Sequence, residues 1–195
     1  MPFPAGPADL LGALARVFTT LGLDWYVFGA QAALIWGRPR LTADVDVTVR
    51  LASDDTAGFV EALQRRGFRL RVAGTPEFVR RTRVLPFSHD ASGIAVDVVL
   101  AGPGLEELFQ SRAVMLDIGG EPVPVISPED LIVTKILAGR PKDIEDIRGV
   151  LVERGDRLDF ALVRSTLRTL EDALGQSDLV PVLEAEVARW RHSMR

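Results

Sequence analysis

Asp44 and Asp46 stand two residues apart in "TADVDVTVR", separated by a valine and followed by more strand formers. Alternate residues of a strand share a face, so both carboxylates leave one side of the sheet, with Cα atoms about 7 Å apart. Val45, Val47 and Val49 take the opposite side. Asp97 has the same setting inside "IAVDVVL", where a lone ionised carboxylate is costly to bury. If the two strands pair, three acids converge at one sheet edge. Carboxylates crowded in this way either raise a pKa or take up a cation. An all-oxygen donor set selects a hard ion, Mg2+ or Mn2+, over zinc. Two such ions on shared carboxylates serve in-line phosphoryl or nucleotidyl transfer. The plainer reading is a solvated strand face, with Asp97 paired to an arginine or a lysine.

The elements that must hold these acids follow from periodicity. "PADLLGALARVFTTLG" carries Leu10, Leu14, Val17 and Leu21 at helical spacing and stops at Gly22. "DWYVFG" is a short apolar strand, "AQAALIWG" a small-residue helix ending at Gly37, and "ADVDVTVRL" the second strand. "DTAGFVEALQRRG" is an amphipathic helix closed by Gly67, and residues 68 to 100 read as mostly extended. The clearest part of that stretch is a hairpin, "RTRVLPFSHD" and "IAVDVVLAG" around Asp90–Gly93. After the short helix "GLEELFQSR", "AVMLDIGGEPVPVI" is a second hairpin turning at Gly119-Gly120. From Ser127 the chain reads as helices: Ser127 at an N-cap, Pro128 at N1, a stop at Gly139, and a fresh start at Pro141. Two more span roughly 159 to 174 and 178 to 192. Strands joined partly by helices and partly by hairpins predict an α/β (α+β) fold, a mixed sheet flanked by helices. Residues 1–126 form its core and 127–195 a C-terminal helical subdomain.

Bulk properties narrow the function. The chain has 195 residues, 47% of them hydrophobic and 26% charged, a balance that supports a packed core. Its formal net charge of −4 argues against indiscriminate binding to nucleic acid, while leaving room for a local basic patch. Cysteine is absent, which removes disulfides, thiolate metal sites and thiol nucleophiles. "MPFPAGPADL" has no charged segment leading into an apolar run, and no stretch is long and apolar enough to span a bilayer. A soluble, cytoplasmic protein with no membrane partner is expected.

"VFGAQAALIWGRPRLTADVDVTV" resembles the nucleotidyltransferase superfamily of polymerase-β-like fold, which includes the minimal nucleotidyltransferases. Its signature is a strand ending in Gly-Gly or Gly-Ser, a short helix, then a strand carrying Asp-x-Asp. Here Gly29-Ala30 fills the first position, and after thirteen intervening residues comes Asp44-Val45-Asp46. The resemblance implies that Gly29 and Ala30 face a nucleoside triphosphate, where glycine admits close backbone approach and a helix start supplies N–H groups. It also implies that Asp44 and Asp46 hold Mg2+ or Mn2+, with Asp97 as third carboxylate and acceptor of the hydroxyl proton. Together with "VISPEDLIVTKILAGRPKDIEDIRGVL", the stretch is similar to the branch containing AbiEii-type toxins of toxin–antitoxin systems. That branch implies a phosphate-binding Lys135, completion of the site by Asp143 and Asp146, and help from Lys142. The likeness covers roughly residues 25 to 150.

The resemblance implies a metal-dependent nucleotidyltransferase moving an NMP from an NTP to an acceptor hydroxyl. A tRNA or protein acceptor is favoured, with a toxin role and a cognate antitoxin as partner. Two alternatives remain open: an antibiotic-modifying nucleotidyltransferase, and a catalytically weak nucleotide- or partner-binding module. Ala30 is the feature behind the second, because it lacks the hydroxyl that serine would offer a phosphate. Other residues carry paired readings. Lys135 either meets phosphate or extends its ammonium from an apolar helix to solvent. Arg38 and Arg40, flanking Pro39, either steer a phosphate or neutralise Asp44 and Asp46. Seven arginines between residues 65 and 83 (Arg65, Arg66, Arg69, Arg71, Arg80, Arg81 and Arg83) either receive an RNA backbone or protect a solvated helix and an edge strand. Thr42 reads as a loop residue bonding to backbone.

Overall fold

A single mixed sheet carries the acids. The computed structural model describes residues 6–38, 42, 44–51, 56–71 and 76–194. Among the described residues seven strands form: β1 (Asp24–Phe28), β2 (Asp44–Arg50), β3 (Phe68–Leu70), β4 (Val84–His89), β5 (Ala95–Leu100), β6 (Val114–Ile118) and β7 (Glu121–Val125). They lie in the order β3-β4-β5-β2-β1-β7-β6. The β2–β5 and β1–β7 pairs are parallel and the other neighbours antiparallel. This is the mixed sheet that hairpins together with helical crossovers predict. Both expected hairpins form, as β4–β5 and β6–β7. Gly119 and Gly120, at φ 65° and 82°, supply the two left-handed residues that a two-residue turn of matching twist requires.

The chain divides into two compact units, residues 1–31 with 42–126, and residues 32–41 with 127–195. The first holds the sheet with helices α1 (Pro7–Thr20), α3 (Thr56–Gln64), α4 (Pro76–Thr82) and α5 (Leu105–Arg112). Helix α2 (Gly29–Trp36) starts in the first unit and ends in the second. The apolar face of β2 is buried as its alternation requires: Val45, Val47 and Val49 are 0% exposed, and so are Val96 and Val98 beside them on β5. Phe18 of α1 packs edge-on against Trp25 of β1, with ring centroids 5.0 Å apart.

Residues 68 to 100 depart from the extended reading at α4. A proline opens this helix, Glu77 sits in its first turn and Arg80 and Arg81 in its last, so charge and cap suit the helix dipole. Seven residues are too few for an apolar periodicity to show. Arg83, at φ 54°, then turns the chain into β4.

The second unit is helical: α6 (Pro128–Ala138), α7 (Pro141–Arg154), a 3-10 turn at Gly155–Arg157, α8 (Phe160–Leu174) and α9 (Leu179–Ser193). Ser127 caps α6 by accepting from the Asp130 N–H at 3.0 Å, and Gly139 ends it in the left-handed conformation. Leu131, Ile132, Ile147, Leu151, Val163, Leu167 and Leu183 build its core. Arg148 of α7 donates two hydrogen bonds to Glu186 of α9, at 2.7 and 2.9 Å. Burial opposes the charge on Glu186 less than this donation favours it, so its carboxyl lies below the ordinary range.

Candidate active site

Strand register sets the acidic cluster. In the parallel β2–β5 pair Asp46 lies level with Asp97, and Asp44 is one pleat back on the same face. One carboxylate oxygen from each of the three lies within 4.8 Å of the others. Thr42 Oγ1 donates to Asp44 Oδ1 at 2.8 Å, so the loop residue serves a side chain as well as the Asp44 carbonyl.

Gly29 ends β1's approach and opens α2 against this cluster. Its φ is 64°, and a Cβ placed there would stand 2.8 Å from Asp46 Cγ, 2.9 Å from Asp46 Cβ and closer still to Oδ2. Both the conformation and the space therefore demand glycine. The next residue, Ala30, points its backbone N–H toward Asp46 Oδ2 at 3.5 Å.

The donor set suits a hard divalent ion. In an octahedron with bonds near 2.1 Å, cis oxygens are about 3.0 Å apart and trans oxygens about 4.2 Å. Three carboxylate oxygens within 4.8 Å can close on that geometry by small side-chain rotations.

Arg71 was one of seven arginines in the sequence pattern, and the structure singles it out: its guanidinium is ion-paired to Asp97. The others are disposed differently. Arg65 pairs with Glu61, Arg69 with Asp90, and Arg66 donates to the Ala62 carbonyl. Arg83 donates to the carbonyls of Leu100 and Ala101. Arg80 and Arg81 are exposed at the end of α4.

Lys135, Asp143 and Asp146 come together inside the helical unit. Lys135 Nζ donates to Asp143 Oδ1 at 3.0 Å and to Asp146 Oδ2 at 2.7 Å, and the Lys135 side chain is 6% exposed. Arg140 adds hydrogen bonds to both oxygens of Asp143, at 2.6 and 3.1 Å. Burial pushes the Asp143 carboxyl up, but the hydrogen bonds and charges of Arg140 and Lys135 outweigh it and hold the pKa below the ordinary value. Lys142 is exposed on the first turn of α7. Arg38 lies 3.6 Å from Glu153 and helps line a cavity of about 300 Å3 with Ala33, Asp146 and Arg148. Arg40 lies outside the described residues.

Residues 13–180 match a family described as "Nucleotidyltransferase of unknown function (DUF6036)". No curated protein matches the chain in sequence. Solved structures share its fold. An antigenic nucleotidyltransferase-like protein from Paracoccidioides brasiliensis superposes with a TM-score of 0.55 at 18% identity, over 91% of this chain and 92% of that one. The antibiotic-resistance factor ANT(2'')-Ia gives 0.58 at 17% identity, over 86% and 94%. The lincosamide antibiotic adenylyltransferase LnuA, in its lincomycin-bound structure, gives 0.54 at 14%, over 75% and 97%. Among the described residues no helix is long and apolar enough to cross a membrane.

Proposed function

The chain belongs to the nucleotidyltransferase family of unknown function DUF6036, and from that premise we propose that it transfers an NMP unit from an NTP to an acceptor hydroxyl with the help of Mg2+ or Mn2+. The observation that carries this reading is the convergence of Asp44, Asp46 and Asp97, with Gly29 pressed against Asp46. The metal, when bound, supplies Lewis-acid polarisation and charge neutralisation at the phosphoryl group undergoing transfer. Asp44 and Asp46 hold it. Asp97 would complete the ligand set and accept the proton of the attacking hydroxyl, whose oxygen bonds to the α-phosphorus as the α–β phosphoanhydride bond breaks and pyrophosphate leaves. Gly29 leaves the backbone open to the triphosphate, and the Ala30 N–H at the start of α2 points toward the cluster.

Lys135 has a different standing. Its ammonium is shared by two buried carboxylates, which supports a role in holding α6 to α7. Phosphate binding by Lys135 stays a proposal, as it does for Lys142, Arg38 and Arg40, and for completion of the site by Asp143 and Asp146.

We favour a polyanionic acceptor, tRNA, because Arg80 and Arg81 stand exposed on α4; a protein acceptor follows as the other expected class. An antibiotic acceptor is the second reading, favoured by fold neighbours whose descriptions name antibiotic resistance and antibiotic adenylylation. A toxin role with a cognate antitoxin rests on the AbiEii likeness, and a co-transcribed small partner gene is its test. A catalytically weak binding module is opposed by the presence of all three acids.

The test incubates purified protein with each labelled NTP, Mg2+ and either total tRNA, cell protein or an aminoglycoside, beside Asp46→Asn. Label transfer that disappears in the variant supports the enzyme and names the acceptor class. Tight NTP binding without transfer to any acceptor favours the binding module. Absence of NTP binding with either metal overturns the reading.

A further inference from the structure

Arg71 reaches Asp97 by strand register. It follows directly on the edge strand β3, where Leu70 lies level with Phe87 of β4. Its backbone N–H donates to the Pro86 carbonyl at 2.8 Å, and Pro86 in turn lies level with Asp97 of β5. Two rungs of sheet thus bring the guanidinium to the carboxylate. Side-chain exposures of 38% for Arg71 and 33% for Asp97 leave the pair half open to water. Its contact is to Asp97 Oδ1, so Oδ2 retains lone pairs for a further partner.

Resting on the nucleotidyltransferase reading of this cluster, we propose that Arg71 is a positioning residue that also tunes metal affinity. It aims Asp97 by holding one oxygen, and it sets a positive charge beside any divalent ion that the other oxygen coordinates. A cation entering the cluster shares Asp97 with a guanidinium. Two effects follow, with different signatures. Holding Oδ1 fixes the carboxylate's orientation, which favours coordination. The charge repels the ion, and a unit charge one carboxylate away from a divalent ion changes its affinity roughly tenfold even with solvent screening. Half exposure screens the repulsion, but the ion carries two charges, and with that doubling repulsion outweighs orientation. Arg71 therefore keeps the cluster a weak binder of free metal and gives the advantage to metal arriving with an anionic triphosphate, whose charge offsets the guanidinium.

The test is Mn2+ binding followed by electron paramagnetic resonance, without nucleotide, on wild type, Arg71→Gln, Arg71→Lys and Asp46→Asn, with circular dichroism confirming that each is folded. Arg71→Gln is expected to bind Mn2+ about tenfold more tightly than wild type, and Arg71→Lys, which keeps the charge, to stay within about threefold of it. Asp46→Asn is expected to lose the site. Equal or weaker binding by Arg71→Gln, with the Asp46→Asn loss still present, overturns the role of Arg71 and leaves the cluster a metal site. Equal tightening by the lysine and glutamine variants overturns the charge argument. Absence of Mn2+ binding in every variant, Arg71→Gln included, overturns this inference, while the labelled-NTP assay decides the proposed function beneath it.

Discussion

Gly29→Ala places a methyl group where the structure has no room and no conformational allowance. At φ 64° an alanine is in the left-handed region, at a cost of roughly 1–2 kcal/mol. Its Cβ would also stand 2.8 Å from Asp46 Cγ and 2.9 Å from Asp46 Cβ, where ordinary contact begins several tenths of an ångström further out. The Asp46 side chain must leave its rotamer or β2 must shift, which adds roughly 1–2 kcal/mol. A total of about 2–4 kcal/mol lowers the melting temperature by roughly 5–15 °C in a chain of this size. The displaced atom is a proposed metal ligand, so Mn2+ affinity falls as well. Thermal melts of Gly29→Ala in the wild-type and Asp46→Ala backgrounds separate the two contributions. Removing the Asp46 carboxylate relieves the overlap with Cγ and Oδ2 but leaves the backbone cost and the 2.9 Å approach to Asp46 Cβ, so the penalty in that background is expected to be smaller than in wild type without falling to the backbone cost alone. Identical penalties in both backgrounds refute the close-approach argument. A penalty below about 0.5 kcal/mol in wild type refutes the backbone argument too.

Further outcomes follow from the helical unit. Lys135→Ala strands two buried carboxylates and is expected to destabilise by about 3–5 kcal/mol in a denaturant melt, whereas a role confined to phosphate contact predicts unchanged stability and weaker NTP binding. Asp143 and Glu186 have folded pKa values below their ordinary 3.8 and 4.5. The stability each contributes is complete above those ordinary values and is lost as pH falls through the folded ones. Thermal melts between pH 6 and 3 are therefore expected to fall mainly below pH about 4.5, less steeply in Arg148→Met, which no longer depresses Glu186. Gly155→Ala puts a Cβ 2.5 Å from Trp190 Cε2 and 2.8 Å from Cη2, so the indole must move. A loss of about 1–3 kcal/mol and a shift in tryptophan fluorescence are expected.

The parts of the fold legible in sequence were those with a repeating signal. The valine alternation of β2 and β5 announced half-buried strands, and Gly119-Gly120 announced a hairpin; all three form as their chemistry requires. What alternation cannot give is pairing. Nothing in the spacing of Asp46 and Asp97 says that they lie level on neighbouring parallel strands, because that register comes from Val45 and Val47 packing beside Val96 and Val98. Helix α4 escaped because seven residues, about two turns, are too few for a period to show. Arg71 escaped for a related reason: in a run of seven arginines nothing marks the one whose strand ends two rungs from Asp97.

Charge balance separates the two acidic groups that sequence alone treats alike. Asp143 and Asp146, acids on adjoining turns of one helix, entered the proposed site through the AbiEii-like resemblance. In the fold they are buried and meet two cations, Lys135 and Arg140, so their charge is answered from within the unit. The apolar-looking helix around Lys135 hid this, since its partners lie eight and eleven residues on, across the turn between α6 and α7. Asp44, Asp46 and Asp97 are a different case. They are partly open to solvent and crowded within 4.8 Å, and the guanidinium of Arg71 sits on Asp97 at one end of the group. A closed, neutralised cluster costs free energy to open and has little to gain from an ion. An open cluster of three carboxylates and one guanidinium gains from a divalent cation in proportion to the charge left over. Charge left over at the sheet acids supports the proposed cation site, the charge balance around Lys135 supports a cohesive role for Asp143 and Asp146, and the paired tests on Arg71 and Lys135 probe the difference from both sides.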